Sequence, residues 1–232
     1  TAPEQDHIVN AFAFELGKVE TPEVRCLVLG HVRNVDAELC DRVEQALGMQ
    51  GQAYNIPPPA VEPFDMDPSP ALSLLGKARP PLEGRKIGVL TSEGYELAIL
   101  DQLQASAEAE GAVVEVIGPH IGEVKSSSHI VLLPQHAIAA APSVLFDTVV
   151  IAVCETEINA LEKQAAVLNF IRDAYAHLKI IGCTVSSMPL LEIAGIDIDD
   201  GVVEVDTSEG TIAYMDIARK GRFWLRAAAI EA

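Results

Sequence analysis

Proline is concentrated in one short part of this 232-residue chain. Eight of its 14 prolines fall within 25 residues, from Pro57 to Pro81. Because proline lacks a backbone N–H and has a fixed φ angle, such a stretch cannot form a helix or a central strand. It is typical of an extended, polyproline-like connection over a surface. We therefore predict a helical segment (residues 1–48), a proline-rich linker (49–84) and a domain (85–232).

The segment before the linker has the pattern of three short helices. Gly17 is placed to end the first helix, Thr21–Pro22 to start the second, and Asp36 and Gly48 to bound the third. Helices this short cannot bury their apolar faces alone. They are expected either to pack on the rest of this chain or to belong to a larger core.

Beyond the linker the pattern changes to alternating strands and helices. Four apolar runs of strand length are separated by helical stretches, of which the longest covers about residues 157–177. Continuous apolar strands that alternate with helices are typical of a parallel sheet covered on both faces. The predicted fold class is therefore α/β, with a doubly wound parallel sheet. Its four strands are predicted at residues 86–90, 112–117, 147–153 and 179–183.

Two further elements are predicted near the C-terminus. Asp200-Gly201 separates the short apolar runs 196–198 and 202–205, a pattern that predicts a β-hairpin. A closing helix is predicted to carry both apolar residues and the only basic cluster of the chain. We expect this cluster to pair with acidic neighbours at a domain contact rather than to bind a ligand. The cluster consists of Arg219, Lys220, Arg222 and Arg226.

The balance of charges limits the partners of the chain. Sixteen Lys and Arg oppose 34 Asp and Glu, which gives a formal net charge of -18. A surface of this sign repels nucleic acid and anionic membranes, so neither is expected as a partner. No apolar run approaches the ~20 residues that cross a bilayer. The first residues lack the features of a signal peptide, which favours a cytoplasmic over a secreted protein.

Reactive residues occur where a doubly wound sheet binds its ligands, beyond the carboxyl ends of the strands. Glu96 follows the first strand, Cys154 the third, and Cys183 ends the fourth. A carboxylate beside a thiol would resemble the pair of a cysteine hydrolase, because a thiolate needs a neighbour that sets its pKa. However, no histidine follows Cys183, and the nearest, His177, precedes that strand. We therefore expect a buried, structural thiol at Cys183.

The sequence contains no pattern typical of a nucleotide or metal site. The first strand-to-helix turn, residues 91–96, has one glycine and two carboxylates, whereas a phosphate loop needs several glycines and no anion. The four cysteines and six histidines show no metal-ligand spacing. In residues 197–201 the glycine comes one place early for a calcium loop. A solvated acidic turn is expected there, and no metal site.

Two passages before the linker resemble a known family. Residues 6–20 and 33–39 are similar to the C-terminal helices of the catalase core in large-subunit haem catalases. These catalases carry a flavodoxin-like domain after a proline-rich connection, and residues 85–90, 141–147 and 172–179 resemble that domain. The resemblance covers the whole chain in the expected order. It implies a flavodoxin-like domain of the class I glutamine amidotransferase type.

This additional domain is similar in turn to the PfpI-like superfamily of amidotransferases, intracellular proteases and chaperones. Its site pairs a glutamate after the first strand with a cysteine at a sharp turn after a later strand. The glutamate corresponds to Glu96, but the place of the nucleophile falls at Val185, two residues after Cys183. The histidine that follows the cysteine is replaced by Ser186. The resemblance thus implies a vestigial site, at Glu96, Cys183 and Val185, with no catalytic residue.

Catalase activity needs a haem, with a distal histidine and asparagine and a proximal tyrosine in an Arg-x-x-x-Tyr setting. None of the four tyrosines has an arginine four residues before it. The chain itself is therefore expected to hold no cofactor and to be inactive, while the parent catalase holds haem and dismutates hydrogen peroxide. As an accessory segment it would stabilise the tetramer and shape access to the haem. Its partners would be the rest of the subunit and the tetramer.

Two other functions remain as alternatives. The isolated domain could act as a holdase-type chaperone for unfolded client proteins, because apolar helices without their core would be exposed. A residual cysteine hydrolase or glyoxalase could instead use Cys183 or Cys154.

Overall fold

The computed structural model describes residues 1–61, 66–67, 69–73 and 82–230. The chain divides into two compact units, Thr1–Leu74 and Leu75–Ala232. The predicted boundaries of the linker, between residues 48 and 49 and between residues 84 and 85, remain predictions. Four of the clustered prolines, Pro63, Pro68, Pro80 and Pro81, lie outside the described residues.

The first unit contains the three predicted helices, α1 (Ala2–Gly17), α2 (Pro22–Val35) and α3 (Ala37–Leu47). The Asp36 carboxylate accepts a hydrogen bond from the Leu39 N–H at 2.8 Å and so caps α3. Gly48 ends the same helix at a φ of 66°, a left-handed conformation that favours glycine. These local stop and start residues were correctly identified.

The three helices share a small core of their own. Its buried members come from all three helices and from one residue after them, Met49, while other apolar side chains of the helices face outward. Phe14 is 66% and Val35 77% exposed. Burial within this unit is therefore incomplete. The core consists of Val9, Leu16, Cys26, Leu29, Val32, Cys40, Val43 and Met49.

The segment after α3 runs along α2 without helix or strand. The Tyr54 N–H donates to the Cys26 carbonyl at 2.9 Å, and the Asn34 side chain donates to the Pro57 carbonyl at 2.8 Å. Gly30 makes this approach possible, because a Cβ at that position would overlap the Tyr54 carbonyl. The beginning of the proline-rich stretch thus lies against a helix surface.

The second unit is built on a six-stranded sheet with the order β5-β2-β1-β6-β7-β8, in which every neighbouring pair is parallel. A separate antiparallel pair, β3 (Val124–Lys125) and β4 (Val131–Leu132), forms a small hairpin between the second and third predicted strands. The strands of the sheet are β1 (Lys86–Thr91), β2 (Val113–Gly118), β5 (His136–Ala137), β6 (Thr148–Ala152), β7 (Ile181–Cys183) and β8 (Val202–Glu204).

Helices cover both faces of this sheet. One core joins α4 and α8 to the sheet, and the other joins α5, α6 and α7 to its opposite face. The expected α/β class with a parallel sheet is confirmed. None of the helices in the described ranges is long and apolar enough to cross a membrane. The helices are α4 (Leu97–Ala109), α5 (Ile158–Leu161), α6 (Ala165–Ala176), α7 (Met188–Ala194), α8 (Ser208–Ala218) and α9 (Ala227–Ile230).

The predicted hairpin around Asp200-Gly201 is wrong. Residues 196–198 form no strand, and β8 pairs parallel with β7. The turn itself exists, because the Asp199 carboxylate accepts the Gly201 N–H at 2.8 Å. The chain then enters the free edge of β7, an option that the local turn pattern does not reveal.

Two predicted long helices are interrupted. The stretch 157–177 consists of α5 and α6, separated at Gln164, whose extended backbone (φ -93°, ψ 107°) redirects the chain. Both pieces bury side chains in the same core. The closing helix stops as α8 at Ala218, and Gly221 turns the chain with a φ of 86° before residues Trp224–Arg226 and α9.

Candidate functional site

A pocket of about 200 Å³ lies where the residues beyond β1, β6 and β7 converge. This is the edge of the sheet at which the sequence predicted reactive residues. Pockets for drug-sized ligands are usually larger, from about 300 to 1,000 Å³. Its polar lining comes from Glu96, Cys154, Glu155, Thr184 and Ser186.

Glu96 stands exposed at the start of α4. One of its carboxylate oxygens accepts a hydrogen bond from the Ser127 hydroxyl at 3.1 Å. Ser127 belongs to the loop between β3 and β4, and its N–H donates to the Tyr95 carbonyl at 2.9 Å. Glu96 therefore helps to hold the small hairpin at the edge of the pocket.

Cys154 follows β6 and is the partly buried thiol of the pocket. Its Sγ lies 3.2 Å from the Thr156 hydroxyl. Gly94 packs against this thiol with a φ of 75°, and a Cβ there would come within 3.1 Å of Sγ. The structure thus places a thiol and the Glu96 carboxylate in the lining of one pocket.

Cys183 lies in β7 and, as expected, is buried, with 2% of its surface exposed. Its Sγ contacts the Met188 sulfur at 3.4 Å. Burial raises the pKa of this thiol to about 12, and the charges of Asp206 and Glu204 act in the same direction. Because the thiolate is the nucleophilic form, Cys183 is unreactive near neutral pH.

Val185, at the place of the superfamily nucleophile, is 57% exposed. Its N–H donates to the Asp206 carboxylate at 2.8 Å, and it begins a 3₁₀ turn, Val185–Ser187. Among the described non-glycine residues, only His129 and Leu178 have a positive φ. The turn at Val185 therefore lacks the strained backbone that presents a nucleophile in a strand-to-helix elbow.

Hydroxyl groups join the ends of the strands by hydrogen bonds to the backbone. The sequence did not predict this role for Ser92 and Ser187. The Ser92 hydroxyl accepts the Cys154 N–H at 2.8 Å, and the Ser187 hydroxyl accepts the Val153 N–H at 3.0 Å. Thr184 bonds to Ser187 at 2.7 Å. The hydroxyls in this part of the pocket serve the backbone. Their one visible sign in the sequence is their position directly after apolar strands.

The pocket has no histidine in its lining. His177 directly follows α6, ahead of β7, and His136 bonds to Glu115 at 2.7 Å on the neighbouring strands. A thiol beside carboxylates, with no imidazole to take its proton near neutral pH, is a poor set for nucleophilic catalysis. In the described part of the chain, no three His, Cys, Asp or Glu side chains are grouped so that they could hold a metal.

The tyrosines do not fit a haem site. The Tyr214 hydroxyl is buried in the core and bonds to Thr148 at 2.9 Å, and burial raises its pKa. The Tyr175 ring stacks on the Arg226 guanidinium at 4.0 Å. Tyr95 is buried in the same core as Tyr214, and Tyr54 lies in the helical unit. The hydroxyls of Tyr95 and Tyr214 are therefore out of reach of a haem iron, because both side chains are buried in the packed core.

The basic cluster near the C-terminus pairs with acidic residues at two of its four positions. Arg219 bonds to Glu110 and Asp216. Arg226 is fully buried and holds both oxygens of Asp199, with its Nε at 2.6 Å and Nη2 at 2.8 Å. For these two arginines the expected pairing with acidic residues is confirmed, but the expected place is wrong, because both pairs lie inside the second unit and not at a domain contact.

Two family models match this chain. The model of the C-terminal domain found in long catalases matches residues 83–228. A second model, described as catalase-related immune-responsive, matches residues 1–47. The two matches follow one another along the chain and leave the proline-rich stretch between them.

Similar proteins include catalases from several bacteria. Catalase C of Rhizobium meliloti (strain 1021) is 37% identical over 97% of this chain and 32% of its own length. Catalase HPII of Mycobacterium avium is 36% identical over 84% of the chain and 27% of its own length. Catalase-2 of Bacillus subtilis (strain 168) is 30% identical over 96% and 32%.

The chain thus spans about a third of the length of the curated relatives that it matches. The first family model alone covers residues 83–228, more than half of the chain. The protein therefore belongs to the family of the C-terminal domain found in long catalases.

Proposed function

We propose that this chain is the C-terminal accessory segment of a large-subunit haem catalase, where it stabilises the tetramer and shapes access to the haem. The observation that carries the proposal is the consecutive match of two catalase-associated models along the chain. The relatives that match over nearly the whole chain are named catalases and are about three times as long. The peroxide chemistry and the haem are assigned to the rest of the parent protein.

The state of the carboxyl-end pocket supports a segment without catalysis of its own. The buried Cys183 has a pKa of about 12, and Val185 offers no nucleophile where the superfamily has one. Glu96 contacts Ser127. We propose that Glu96, Cys183 and Val185 are the remains of a site whose fold persists without its chemistry.

We further propose that the domain has the flavodoxin-like fold of the class I glutamine amidotransferases. Without the short strands β3 to β5, the order of the sheet is β2-β1-β6-β7-β8. This corresponds to the 2-1-3-4-5 order of flavodoxin-like sheets. Helices on both faces agree with the same class.

The alternatives gain nothing from the families and relatives reported above, none of which is described as a chaperone, hydrolase or glyoxalase. Exposed apolar side chains such as Phe14 agree equally well with packing on a missing part of the parent subunit.

Two experiments test the proposal. The chain alone, mixed with haem and purified again, is expected to show no Soret band and no peroxide consumption. A Soret band with catalase turnover would contradict the proposal. In the parent catalase, removal of the part that corresponds to residues 85–232 is expected to lower the temperature at which the tetramer dissociates. It is also expected to increase the rate at which bulky haem ligands inhibit the enzyme. An unchanged tetramer with unchanged inhibition would rule out the accessory role.

A further inference from the structure

A second pocket, of about 190 Å³, lies beside the start of β6 and the end of α8. It is at the opposite edge of the sheet from the thiol and Glu96. Its lining contains two guanidinium groups and a single carboxylate. The lining residues are Arg85, Asp147, Thr148, Ala218, Gly221 and Arg222.

Arg222 differs from the other arginines of the basic cluster. Arg219 and Arg226 each hold a carboxylate, whereas Arg222 has no carboxylate within salt-bridge distance among the described residues. Burial lowers the pKa of Arg222, and Asp147 opposes this only by its more distant charge. Arg222 is an exposed side chain in the pocket lining, and no carboxylate of the described residues is hydrogen-bonded to its planar fork of donors.

A buried cation, Lys179, lies close enough to Arg222 to feel its charge. Lys179 is 2% exposed, and its Nζ donates to the carbonyls of Phe146, at 2.6 Å, and Ser143. Burial lowers the pKa of Lys179 to about 8, and the nearby positive charge of Arg222 lowers it further in the same direction. Buried charges in proteins are usually paired with an opposite charge. Here the ammonium has carbonyl acceptors but no bonded carboxylate.

Two acceptors in the pocket lining already take hydrogen bonds from the protein. Asp147 accepts the Lys86 N–H at 2.9 Å, and the Ala218 carbonyl at the end of α8 accepts from Arg85 at 2.9 Å. The pocket lining carries two positive charges against one negative charge. Gly221 adds no side chain to the pocket wall, which leaves room beside Arg222.

We propose that this pocket binds a small oxoanion of the phosphate type, with Arg222 as its main ligand and Arg85 as the second cation. A guanidinium presents two parallel N–H donors that match two oxygens of such an anion. The volume suits a free phosphate or the phosphoryl group of a small ester. The site is independent of the proposed catalase role.

Calorimetric titration of the 232-residue chain with inorganic phosphate, at constant ionic strength set with chloride, tests this site. One saturable site per chain is expected. Arg222→Gln is expected to weaken the affinity at least about ten-fold, which corresponds to the loss of a charge-assisted pair. Lys220→Gln removes the same charge two positions away, at a residue that does not line the pocket, and is expected to change the affinity less than about twofold.

Binding that does not saturate at tens of millimolar phosphate would overturn the proposal. An equal loss in Lys220→Gln and Arg222→Gln would also do so, because it would indicate general attraction. If Arg222→Gln does not fold, amide NMR shifts of the unaltered chain decide the matter. Phosphate-dependent shifts confined to residues 85, 147–148 and 218–222 support the site, and shifts elsewhere contradict it. A parallel titration with glycerol phosphate distinguishes an ester from the free ion.

Discussion

The two edges of the parallel sheet use their polar residues in opposite ways. At the carboxyl edge, where sheets of this kind bind ligands, hydroxyls and Glu96 make hydrogen bonds to the protein itself, and Cys183 is a buried neutral thiol. At the amino edge, Arg226 is fully paired, but Arg222 and Lys179 have no bonded carboxylate among the described residues. The position of an edge in the fold therefore does not tell whether its groups are free. Their hydrogen bonds do.

The strongest test of this contrast is Arg226→Ala at the amino edge. It removes both guanidinium donors from the Asp199 carboxylate, which keeps the Gly201 N–H, and it leaves the Lys179 carbonyl without the Arg226 donor. Breaking a buried ion pair on one side usually costs about 3 to 5 kcal/mol. We expect a loss of this size in the free energy of unfolding, measured with urea. Lys220→Ala, at an exposed residue of the same basic cluster, should change the free energy of unfolding by less than about 0.5 kcal/mol. Similar losses in both variants would show that the Arg226–Asp199 ion pair contributes little to the free energy of unfolding.

The two edges should also respond with opposite sign to alkaline pH. The folded pKa of Lys179 is about 8 and its ordinary value 10.5, so between these values the unfolded chain binds more protons and Lys179 makes stability rise with pH. For Cys183 the folded pKa is about 12 and the ordinary value 9.0. The unfolded chain then loses its proton first, so Cys183 makes stability fall as pH rises above about 9.

Urea unfolding between pH 7 and 10.5 separates the two contributions. Relative to the unaltered chain, Lys179→Met should remove an increase of up to about 3 kcal/mol, since one pKa unit corresponds to about 1.4 kcal/mol. Cys183→Ala should remove a decrease that reaches about 2 kcal/mol near pH 10.5. If the free energy of unfolding changed with pH in the same way in a variant and in the unaltered chain, the pKa assigned to the replaced residue would be wrong.

Within the carboxyl edge, the two thiols should react differently. Cys154 lines the pocket, whereas Cys183 is buried and protonated. Iodoacetamide at pH 7.5 is expected to modify Cys154 at least about 100-fold faster than Cys183 in the folded chain. Mass spectrometry of tryptic peptides measures both rates, and urea should make them equal. Fast labelling of Cys183 in the folded state would revive the hydrolase hypothesis.

The smallest effects concern the hydroxyls of the carboxyl edge. Ser187→Ala leaves the buried Val153 N–H without an acceptor and should cost about 1 to 2 kcal/mol of unfolding free energy. Ser127→Ala removes only an exposed contact with Glu96 and should cost less than about 0.5 kcal/mol. If the two losses were equal, the Ser187 hydroxyl after β7 would have no special structural role.

Much of the fold could be predicted because its determinants are local. Asp36 and Gly48 bound α3 through cap chemistry within a few residues, and the strands β1 and β6 are continuous apolar runs. The hairpin at Asp200-Gly201 failed because a turn residue pair does not reveal which sheet edge is free. The division of residues 157–177 into α5 and α6 depends on a core that lies outside the helix itself.

The candidate site was predicted in part. Position after a strand was enough to single out Glu96 and Cys154. It could not reveal that Ser92 binds the Cys154 N–H, because the two residues are 62 positions apart.

The sequence by itself determined the family, the order of helices, linker and α/β domain, and the lack of a histidine after Cys183. Only the tertiary structure decided how the charges of the basic cluster are used. Arg219 reaches Glu110 across 109 positions and Arg226 reaches Asp199 across 27, while Arg222 between them is left without a carboxylate in the described structure. The physical reason is that an ion pair depends on distances of a few ångströms, which folding sets and the order of residues along the chain does not.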